Sequence, residues 1–421
     1  MRIETKCIQE GYKPENGQPR VLPIYQSTTY KYDSAEHVGK LFDLEESGHF
    51  YSRISNPTVE AVENKIAALE GGVGALCTIS GQSATMLAVL NILSAGDHLV
   101  SAASIYGGST NLFAVTLKRL GVEVTFIDQN DDEETISRAF RKNTRALFGE
   151  TIANPALTVL DIEKMARIAH SQGVPLIVDN TFATPVLCRP IEWGADIVTH
   201  STTKYMDGHA VQLGGVIVDS GNFDWTNGKY PELTEPDESY HGVSYTKAYG
   251  RAAYVSKARL QLMRDMGVYP PASAAFLLNL GLETLALRIE RHSSNALRVA
   301  EFLSQSSKIE SVNYPGLSGN PYHDLAQKYT PKGCSGVVSF TVRGGKPVAV
   351  RFLDSLKLAA IVVHVADART GVLHPASSTH RQLTDEQLAA AGITPGMVRI
   401  SVGIEHIDDI IADIEQALAK V

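Results

Sequence analysis

The most informative stretch of the chain is Asp196-Ile197-Val198-Thr199-His200-Ser201-Thr202-Thr203-Lys204-Tyr205. It is an apolar run followed by hydroxyls and a single lysine, which is typical of a buried strand and the loop after it. Upstream, Leu176-Ile177-Val178-Asp179-Asn180 repeats the pattern and ends in a carboxylate. Ligands of open parallel sheets bind beyond the carboxyl ends of the strands. The two stretches therefore predict a sheet edge at which Asp179 and Lys204 meet a ligand.

Similar apolar runs alternate with amphipathic helical stretches on both sides of these two. The other strand-like runs are residues 75–80, 99–102, 122–128, 146–151 and 215–218. Such runs between helices are typical of a mostly parallel sheet that is covered on both faces. We therefore expect an α/β fold, with this sheet in a large domain over residues 57–255.

The rest of the chain predicts an arm and a smaller domain. Residues 1–56 are rich in Pro, Gly and Tyr without a sustained period, which indicates an extended N-terminal arm. Asn56-Pro57 then predicts the start of a helix that Gly71 ends. Residues 256–421 combine a helical stretch at 282–303, a strand at 337–342 and a closing helix at 407–418. That mixture favours a smaller α+β C-terminal domain.

Composition narrows the possible partners. The 421 residues are 44% hydrophobic and carry a formal net charge of -8, so the chain has no broad positive field to gather nucleic acid. No run approaches the roughly 18 to 20 apolar residues of a membrane span, and the N-terminus lacks the apolar core of a signal peptide. The four cysteines are scattered, without metal-ligand spacing. We expect a cytoplasmic protein with no metal, nucleic-acid or membrane partner.

Lys204 and Asp179 are the leading candidates for chemistry. A lysine near the protein interior tends to lose its proton, and the neutral amine can then attack a carbonyl. Taken alone, a lysine after a strand is more often a solvated loop residue. A carboxylate at the exit of a buried strand implies a cationic partner. Taken alone, Asp179 could equally cap a following helix.

Three further features fit the same edge. The turn Ser80-Gly81-Gln82 opens a helix, so its backbone N–H groups could receive a phosphate, or it could simply join strand and helix. Tyr106 could stack on a flat heteroaromatic ligand or be an ordinary core tyrosine. Arg399 could grip a carboxylate with two parallel hydrogen bonds or be a surface cation. Combined with Asp179 and Lys204, these are the parts that an enzyme using pyridoxal 5'-phosphate (PLP) on amino acids needs.

Several motifs resemble the Cys/Met metabolism PLP-dependent enzyme family. They are Tyr51-Ser52-Arg53-Ile54-Ser55-Asn56-Pro57-Thr58, the Ser80-Gly81 turn, Asp179-Asn180-Thr181-Phe182 and His200-Ser201-Thr202-Thr203-Lys204-Tyr205. The resemblance covers nearly the whole chain. It implies the aspartate-aminotransferase-like fold, PLP-dependent transferase fold type I. It also implies a homotetramer built from two tight dimers, with the arm of each subunit reaching its neighbour's site.

The resemblance implies a role for each candidate residue. Lys204 would hold PLP as a Schiff base, Asp179 would pair with its ring nitrogen, and Tyr106 would stack on the ring. Tyr106 and the neighbouring subunit's Tyr51 would also assist Lys204 in proton transfer. The residues expected to hold the phosphate are Gly81, Gln82, Ser201 and Thr203, joined by Tyr51 and Arg53 of the neighbouring subunit. The residues expected to bind the amino-acid substrate are Arg399, Asn154 and Tyr51.

Within the family, the chain is most similar to O-acetylhomoserine sulfhydrylases. The segments that carry this similarity are residues 215–219, 221–225, 235–242, 281–285 and 374–377. The similarity implies γ-replacement on O-acetyl-L-homoserine with sulfide or a small thiol, which gives L-homocysteine or L-methionine and acetate. Methionine γ-lyase, cystathionine γ-synthase and cystathionine γ-lyase activities are alternatives, although those enzymes usually lack the insertion around 220–245. A remote alternative is a non-catalytic binding relative.

Two segments depart from the family pattern. Gly208-His209-Ala210-Val211-Gln212-Leu213-Gly214-Gly215 stands where Gly-His-Gly-Thr-Ser-Ile-Gly-Gly is expected. His364-Val365-Ala366-Asp367 stands where Asn-Val-Gly-Asp is expected. Both segments lie near the expected pocket, so the preferred thiol, the preferred acyl group, or the balance of transfer and elimination could differ from the family's.

Overall fold

The apolar runs pair into two separate sheets in the computed structural model, which describes residues 1–379, Arg381 and residues 393–421. The strands are β1 (Gly74–Thr78), β2 (His98–Ala102), β3 (Glu123–Ile127), β4 (Thr144–Glu150), β5 (Leu176–Asp179), β6 (Ile197–His200), β7 (Gly215–Asp219), β8 (Ile309–Asn313), β9 (Val337–Val342), β10 (Ala360–Ile361), β11 (Gly371–Leu373) and β12 (Met397–Ser401).

The helices lie between these strands and at both ends of the chain. They are α1 (Ile3–Gln9), α2 (Ala35–Phe42), α3 (Pro57–Glu70), α4 (Gly81–Leu90), α5 (Gly107–Asn111), α6 (Glu133–Ser137), α7 (Ile162–Ser171), α8 (Thr184–Leu187), α9 (Pro231–Thr234), α10 (Tyr245–Tyr249), α11 (Ala253–Lys257), α12 (Arg264–Met266), α13 (Ala272–Glu283), α14 (Leu285–Ser304), α15 (His323–Tyr329), α16 (Gly345–Ser355) and α17 (Ile407–Leu418). Leu112–Leu117 and Ala258–Met263 form π-helical turns.

The larger sheet has seven strands in the order β1-β7-β6-β5-β4-β2-β3. Strands β2 to β6 run parallel to their neighbours within this group, and β7 runs antiparallel to both β1 and β6. The predicted α/β fold with a mostly parallel sheet is confirmed. Because β4, β5 and β6 are adjacent and parallel, their carboxyl ends meet at one edge of the sheet.

Apolar side chains cover both faces of this sheet. Successive residues of β5 point to opposite faces, so Ile177 packs into one buried cluster and Val178 into the other. In β6, Ile197 and Val198 divide in the same way. Burial on both faces explains why the two strands appear in the sequence as continuous apolar runs instead of alternating ones.

Helix α3 leads the chain into the sheet with the predicted boundaries. The Asn56 side chain accepts a hydrogen bond from the Thr58 backbone N–H, and Pro57 occupies the first turn. Gly71 ends the helix with φ of 84°, in the left-handed region that glycine adopts without a steric cost.

The smaller sheet has five strands in the order β10-β11-β12-β9-β8. Strand β12, which carries Arg399, lies between β11 and β9 and runs antiparallel to both. The predicted strand at 337–342 and closing helix at 407–418 have the expected bounds. The division into an arm, a large domain and a small domain at residues 56 and 255 stays a prediction.

The sequence predicts an extended N-terminal arm, but the N-terminal segment is only partly extended. Two short helices, α1 and α2, interrupt it. Helix α2 begins where the Ser34 side chain accepts a hydrogen bond from the His37 N–H. Helix α1 buries Cys7 in the same apolar cluster as parts of α3. Local capping and burial of one face therefore override the absence of a sustained sequence period.

The described residues include no single helix that is long and apolar enough to cross a membrane. Helices α13 and α14 meet that criterion only as a pair, and the pair is bent by 61° at its break.

Replacement of a central strand side chain should test the packing of the sheet. We expect Ile177→Ala to lower the free energy of unfolding by about 2–5 kcal/mol, because it removes a side chain that is 0% exposed and leaves a cavity. Denaturant titration of the cofactor-free protein measures the change. Leu287→Ala, at a side chain that is 73% exposed, is the matched control and should change stability little.

Candidate active site

Three strand ends form the floor of the site. The register pairs Glu150 at the end of β4 with Asp179 at the end of β5, and Asp179 with Thr199 on β6. Paired residues of adjacent strands point to the same face of a sheet. The chain continues from β6 through Ser201 to Lys204, so the predicted carboxylate and the predicted lysine follow adjacent strands.

Asp179 is linked to the lysine-bearing loop through Thr181. The Thr181 backbone N–H donates to Asp179 Oδ1 at 2.9 Å, and the Thr181 hydroxyl oxygen accepts from the Ser201 N–H at 2.8 Å. Burial raises the pKa of the Asp179 carboxyl, and the hydrogen bonds from Thr181 partly oppose this shift. Among the ion pairs of the described residues, none involves Asp179. The described residues therefore supply no ion-pair partner to the carboxylate for which the sequence predicts a cationic one.

Lys204 lies in a setting that favours the neutral amine. Burial, and then the charge of Arg399, lower the pKa of Lys204 to about 8. Its Nζ lies 3.4 Å from Nδ1 of His364, a residue of the second segment that departs from the family pattern. Burial, and then the charge of Lys204, lower the pKa of His364 to about 4. A pKa near 8 leaves a far larger fraction of neutral amine at ordinary pH than an exposed lysine has, and this fraction can attack a carbonyl group.

Arg399 is a buried cation without a carboxylate partner in the described part of the chain. The residue is 6% exposed, and burial lowers its pKa to about 10. Its Nη1 donates to Asn154 Oδ1 at 3.3 Å and its Nη2 to the Val363 carbonyl at 3.2 Å. Its Nε has no hydrogen-bond partner among the described residues. A buried guanidinium left in this state is suited to bind a ligand carboxylate.

The predicted phosphate-binding turn lies directly against the lysine-bearing loop. Ser80 caps α4 by accepting a hydrogen bond from the Ser83 N–H. A Cβ atom on Gly81 would lie 2.5 Å from Cβ and 2.7 Å from Cα of Ser201, so only glycine fits there. The turn therefore presents unobstructed backbone N–H groups beside Ser201, which suits a phosphate.

Tyr106 borders the same turn. Its side chain is 51% exposed, and its backbone N–H donates to Glu150 Oε1 at 2.6 Å. The Gln82 side chain donates to the Gly108 carbonyl at 3.0 Å, which ties the segment after Tyr106 to the start of α4. The Tyr106 ring covers the position that a Cβ atom on Gly108 would need. The exposed ring is thus held at the edge by its backbone.

Thr203 already has a structural role. Its hydroxyl donates to the Gly214 carbonyl at 3.2 Å and accepts from the Gly214 N–H at 3.0 Å. The hydroxyl of its neighbour Thr202 is buried without a partner in the described structure. Thr203 therefore anchors the loop that carries the first departing segment, in addition to the phosphate contact predicted for it.

Tyr51 and Arg53 are not brought to Lys204 within one chain. They line a separate cavity of about 470 Å³ together with residues near Tyr25 and Tyr269. The Arg53 guanidinium lies 5.2 Å from the centre of the Tyr51 ring and also donates to the Arg264 carbonyl. Their predicted contribution to a neighbouring subunit's site stays a prediction.

The two departing segments contact each other. The Ala368 N–H donates to the Gly208 carbonyl at 2.9 Å, and the Arg369 side chain donates to the His209 carbonyl at 3.3 Å. Ala210 and Ala366, which replace expected glycines, have φ of 57° and 68°. Both alanines therefore adopt the left-handed conformation that glycine would adopt more easily.

Sequence reasoning missed two residues of the site. Glu150 ends a buried strand in a carboxylate, the same signal that identifies Asp179, but the pattern predicts only a strand there. Thr181 belongs to a family motif that predicts no role for it. The contact between His364 and Lys204 joins positions 160 residues apart. The only sequence feature that points to His364 is its departure from the asparagine of the family pattern.

Comparison with known proteins agrees with this geometry. The model of the Cys/Met metabolism PLP-dependent enzyme family matches residues 4–419. The chain belongs to this family. The resemblance predicted from the motifs is confirmed, and so are the cofactor and the prediction that the chain is an enzyme. As an enzyme of Cys/Met metabolism, it acts on small molecules.

Individual relatives are similar over their full length. The chain is 47% identical to an O-acetyl-L-homoserine sulfhydrylase of Thermus thermophilus, with 100% of both proteins covered. It is 46% identical to the corresponding Leptospira meyeri protein, covering 99% of this chain and 97% of that one, and 46% identical to a homocysteine synthase of Schizosaccharomyces pombe, covering 99% and 98%.

A solved structure shows the same fold with the cofactor attached. It is a Campylobacter jejuni protein, provisionally named O-acetylhomoserine (thiol)-lyase, with a TM-score of 0.96, 37% identity and complete coverage of both chains. That structure contains N'-pyridoxyl-lysine-5'-monophosphate. In the present chain, Asp179 has no ion-pair partner among the described residues and suits a cationic ring nitrogen. The glycine cradle at Gly81 and the amine of Lys204 suit the phosphate and the aldehyde of PLP. When bound, PLP supplies a ring that accepts electrons from the substrate.

The reactivity of Lys204 should reveal its lowered pKa. In cofactor-free protein, we expect labelling of Lys204 by an amine reagent to rise with a midpoint near pH 8, because burial and Arg399 disfavour the ammonium form. Arg399→Leu removes the nearby positive charge and should move the midpoint upward. Mass spectrometry of the labelled peptide across pH measures both. A wild-type midpoint above about pH 10 would show an ordinary solvated lysine.

The glycine cradle should be sensitive to a single methyl group. Gly81→Ala places a Cβ against Ser201, so we expect the turn to shift and PLP affinity to fall by about tenfold or more, equivalent to about 1.4 kcal/mol. Absorbance titration with PLP measures the dissociation constant. Gly39→Ala, where a Cβ atom would meet nothing within 4 Å, is the control and should bind PLP like the wild type.

Proposed function

We propose that the protein catalyses γ-replacement on O-acetyl-L-homoserine with sulfide or a small thiol, giving L-homocysteine or L-methionine and acetate. The observation that best supports an amino-acid substrate is the state of Arg399. Its guanidinium is buried without a carboxylate partner in the described chain, and its charge lowers the pKa of Lys204. The names of the relatives at 46–47% identity over the full chain support the acyl-homoserine and the sulfur nucleophile.

The residues divide the work as follows. Lys204 binds PLP covalently, and Asp179 faces the ring nitrogen and favours its protonated state. Backbone N–H groups of Gly81 and Gln82, with the hydroxyls of Ser201 and Thr203, hold the phosphate. The partly exposed Tyr106 ring stacks on the cofactor, where its size and rigidity suit a flat ligand.

Arg399 orients the substrate for proton transfer. Its guanidinium binds the substrate carboxylate, with Asn154 supporting it through the hydrogen bond to Nη1. This fixes the Cα–H bond next to the Lys204 amine, which removes the proton from Cα and then assists proton removal from Cβ. Acetate leaves from Cγ, the sulfur of sulfide or a thiol gives up its proton and forms the new bond to Cγ, and protons are then returned to Cβ and Cα. Tyr106 is placed to assist these proton transfers.

The assembly belongs to the same proposal. Tyr51 and Arg53 line a cavity of the single chain that includes neither Lys204 nor Gly81, which supports a role for them in a neighbouring subunit's site. We propose a homotetramer of two tight dimers, located in the cytoplasm, in which each dimer completes its own two sites. In this assembly the Arg53 side chain of one subunit binds the phosphate in its neighbour's site, and a single chain lacks this positive charge at its own site.

Loss of the lysine should abolish the cofactor band and turnover together. Purified wild type should show a visible absorption band from lysine-bound PLP and should form homocysteine from O-acetylhomoserine and sulfide. Lys204→Ala should lose both while keeping the wild-type circular dichroism spectrum. A folded wild type that stays colourless after PLP is added would refute the assignment and favour a non-catalytic binding relative.

Substrate comparison separates the proposed reaction from the alternatives. Product analysis should show faster homocysteine formation from O-acetylhomoserine and sulfide than release of methanethiol and 2-oxobutanoate from methionine. Faster breakdown of methionine would favour a methionine γ-lyase. Arg399→Leu should lower kcat/KM for O-acetylhomoserine by about 10- to 100-fold, as expected for loss of hydrogen bonds to a charged group, with little change in the KM for sulfide.

A further inference from the structure

Glu150 is a buried carboxyl next to the group expected to face the cofactor's ring nitrogen. It is the last residue of β4, is 5% exposed, and pairs in register with Asp179 on β5. Adjacent strands are about 4.8 Å apart, and their paired residues point to the same face. A buried carboxyl and a half-buried one therefore lie side by side at the binding edge. The activity proposed above assigns no role to the second one.

The same carboxyl holds the segment that carries Tyr106. Its Oε1 accepts from the Tyr106 backbone N–H at 2.6 Å, and the nearby backbone of Asn154 acts to lower the pKa of this carboxyl. Tyr106 presents the ring expected to stack on the cofactor, and the Asn154 side chain accepts from Arg399. Glu150 thus connects the sheet to the ring-binding side and lies near the carboxylate-binding side.

Two neighbouring carboxyl groups in an enclosed position cannot both ionise without a large cost. Burial, and then the charge of Asp179, raise the pKa of Glu150 well above its ordinary value, although the backbone groups of Tyr106 and Asn154 act in the opposite direction. Burial also raises the pKa of Asp179, but hydrogen bonds from Thr181 and the charge of His200 on β6 oppose that shift. These surroundings favour a protonated Glu150 and an ionised Asp179.

We propose that Glu150 is a positioning residue that carries the proton of the Glu150–Asp179 pair and fixes the backbone that aims the Tyr106 ring. With the proton on Glu150, Asp179 presents a single negative charge to the cofactor, and the carbonyl oxygen of the neutral carboxyl still accepts from Tyr106. This inference rests on the roles proposed for Asp179 and Tyr106. In this proposal Glu150 contacts neither substrate nor cofactor and acts through Asp179 and Tyr106.

The proton-carrying role predicts a pH-dependent stability difference in the cofactor-free protein. Glu150→Gln keeps an acceptor for the Tyr106 N–H and cannot ionise. A carboxyl whose pKa is raised by folding contributes stability below its unfolded pKa of about 4.3 and loses that contribution as pH rises through the folded pKa. The Tm of Glu150→Gln minus that of the wild type should therefore increase by about 2 °C or more between about pH 5 and 9.

Two comparisons make that measurement specific. Glu123→Gln, at an exposed position on β3 of the same sheet, should show a Tm difference that does not change with pH. In an Asp179→Asn background, the rise caused by Glu150→Gln should shrink, because the neighbouring charge is gone. A Glu150→Gln difference that stays flat with pH, or a rise that is unaffected by Asp179→Asn, would overturn the proton-carrying role.

The positioning role predicts a difference between two variants of the same residue. Glu150→Ala leaves the Tyr106 N–H without its acceptor and should raise the dissociation constant of PLP by about tenfold or more. Glu150→Gln restores an acceptor and should stay within about threefold of the wild type. Equal affinity of Glu150→Ala and the wild type would overturn this part. If the wild type itself binds no PLP, the proposed function fails, whereas the stability measurement still tests the carboxyl pair.

Discussion

The register between β4, β5 and β6 is the constraint on which the site depends. A slip of one residue would turn every side chain of a strand to the opposite face, moving Asp179 away from the face on which the cofactor is proposed to bind and putting Asn180 in its place. Apolar residues on both faces oppose such a slip. So does a buried polar network on the other face, where Glu70 Oε1 accepts from His200 Nε2 at 2.6 Å and from Asn180 Nδ2 at 2.9 Å.

The fixed strands hold charges that the chain itself leaves uncompensated. Asp179 and Arg399 lack ion-pair partners in the described residues, and burial makes each ionised form costly. The large apolar core maintains the fold despite this cost. A cofactor with a cationic ring nitrogen and a substrate with a carboxylate would remove the two costs in turn, so binding of either ligand should stabilise the folded protein.

The sequence predicts those site residues whose position is given by a short stretch of neighbouring residues. Asp179, Lys204 and the Gly81 turn lie at strand ends or helix starts, where a short pattern already gives the position. The buried state of Arg399 depends on strands β11 and β9 on either side of it, and the link from Glu150 to Tyr106 joins segments 44 residues apart. Such contacts have no local pattern. Tyr51 and Arg53 depend on a second chain, which one sequence cannot position.

The two loops that depart from the family pattern lie in contact with each other. They are joined by the hydrogen bond from Ala368 to Gly208, and each carries an alanine in the left-handed region, which costs roughly 1–2 kcal/mol relative to glycine. The second loop also places His364 against the Lys204 amine. The strand ends carry Asp179 and lead to Lys204, the groups proposed to bind PLP, whereas these loops border the same amine. Differences in the accepted thiol or acyl group should therefore arise from this pair of loops, which can change while the register of the strands stays fixed.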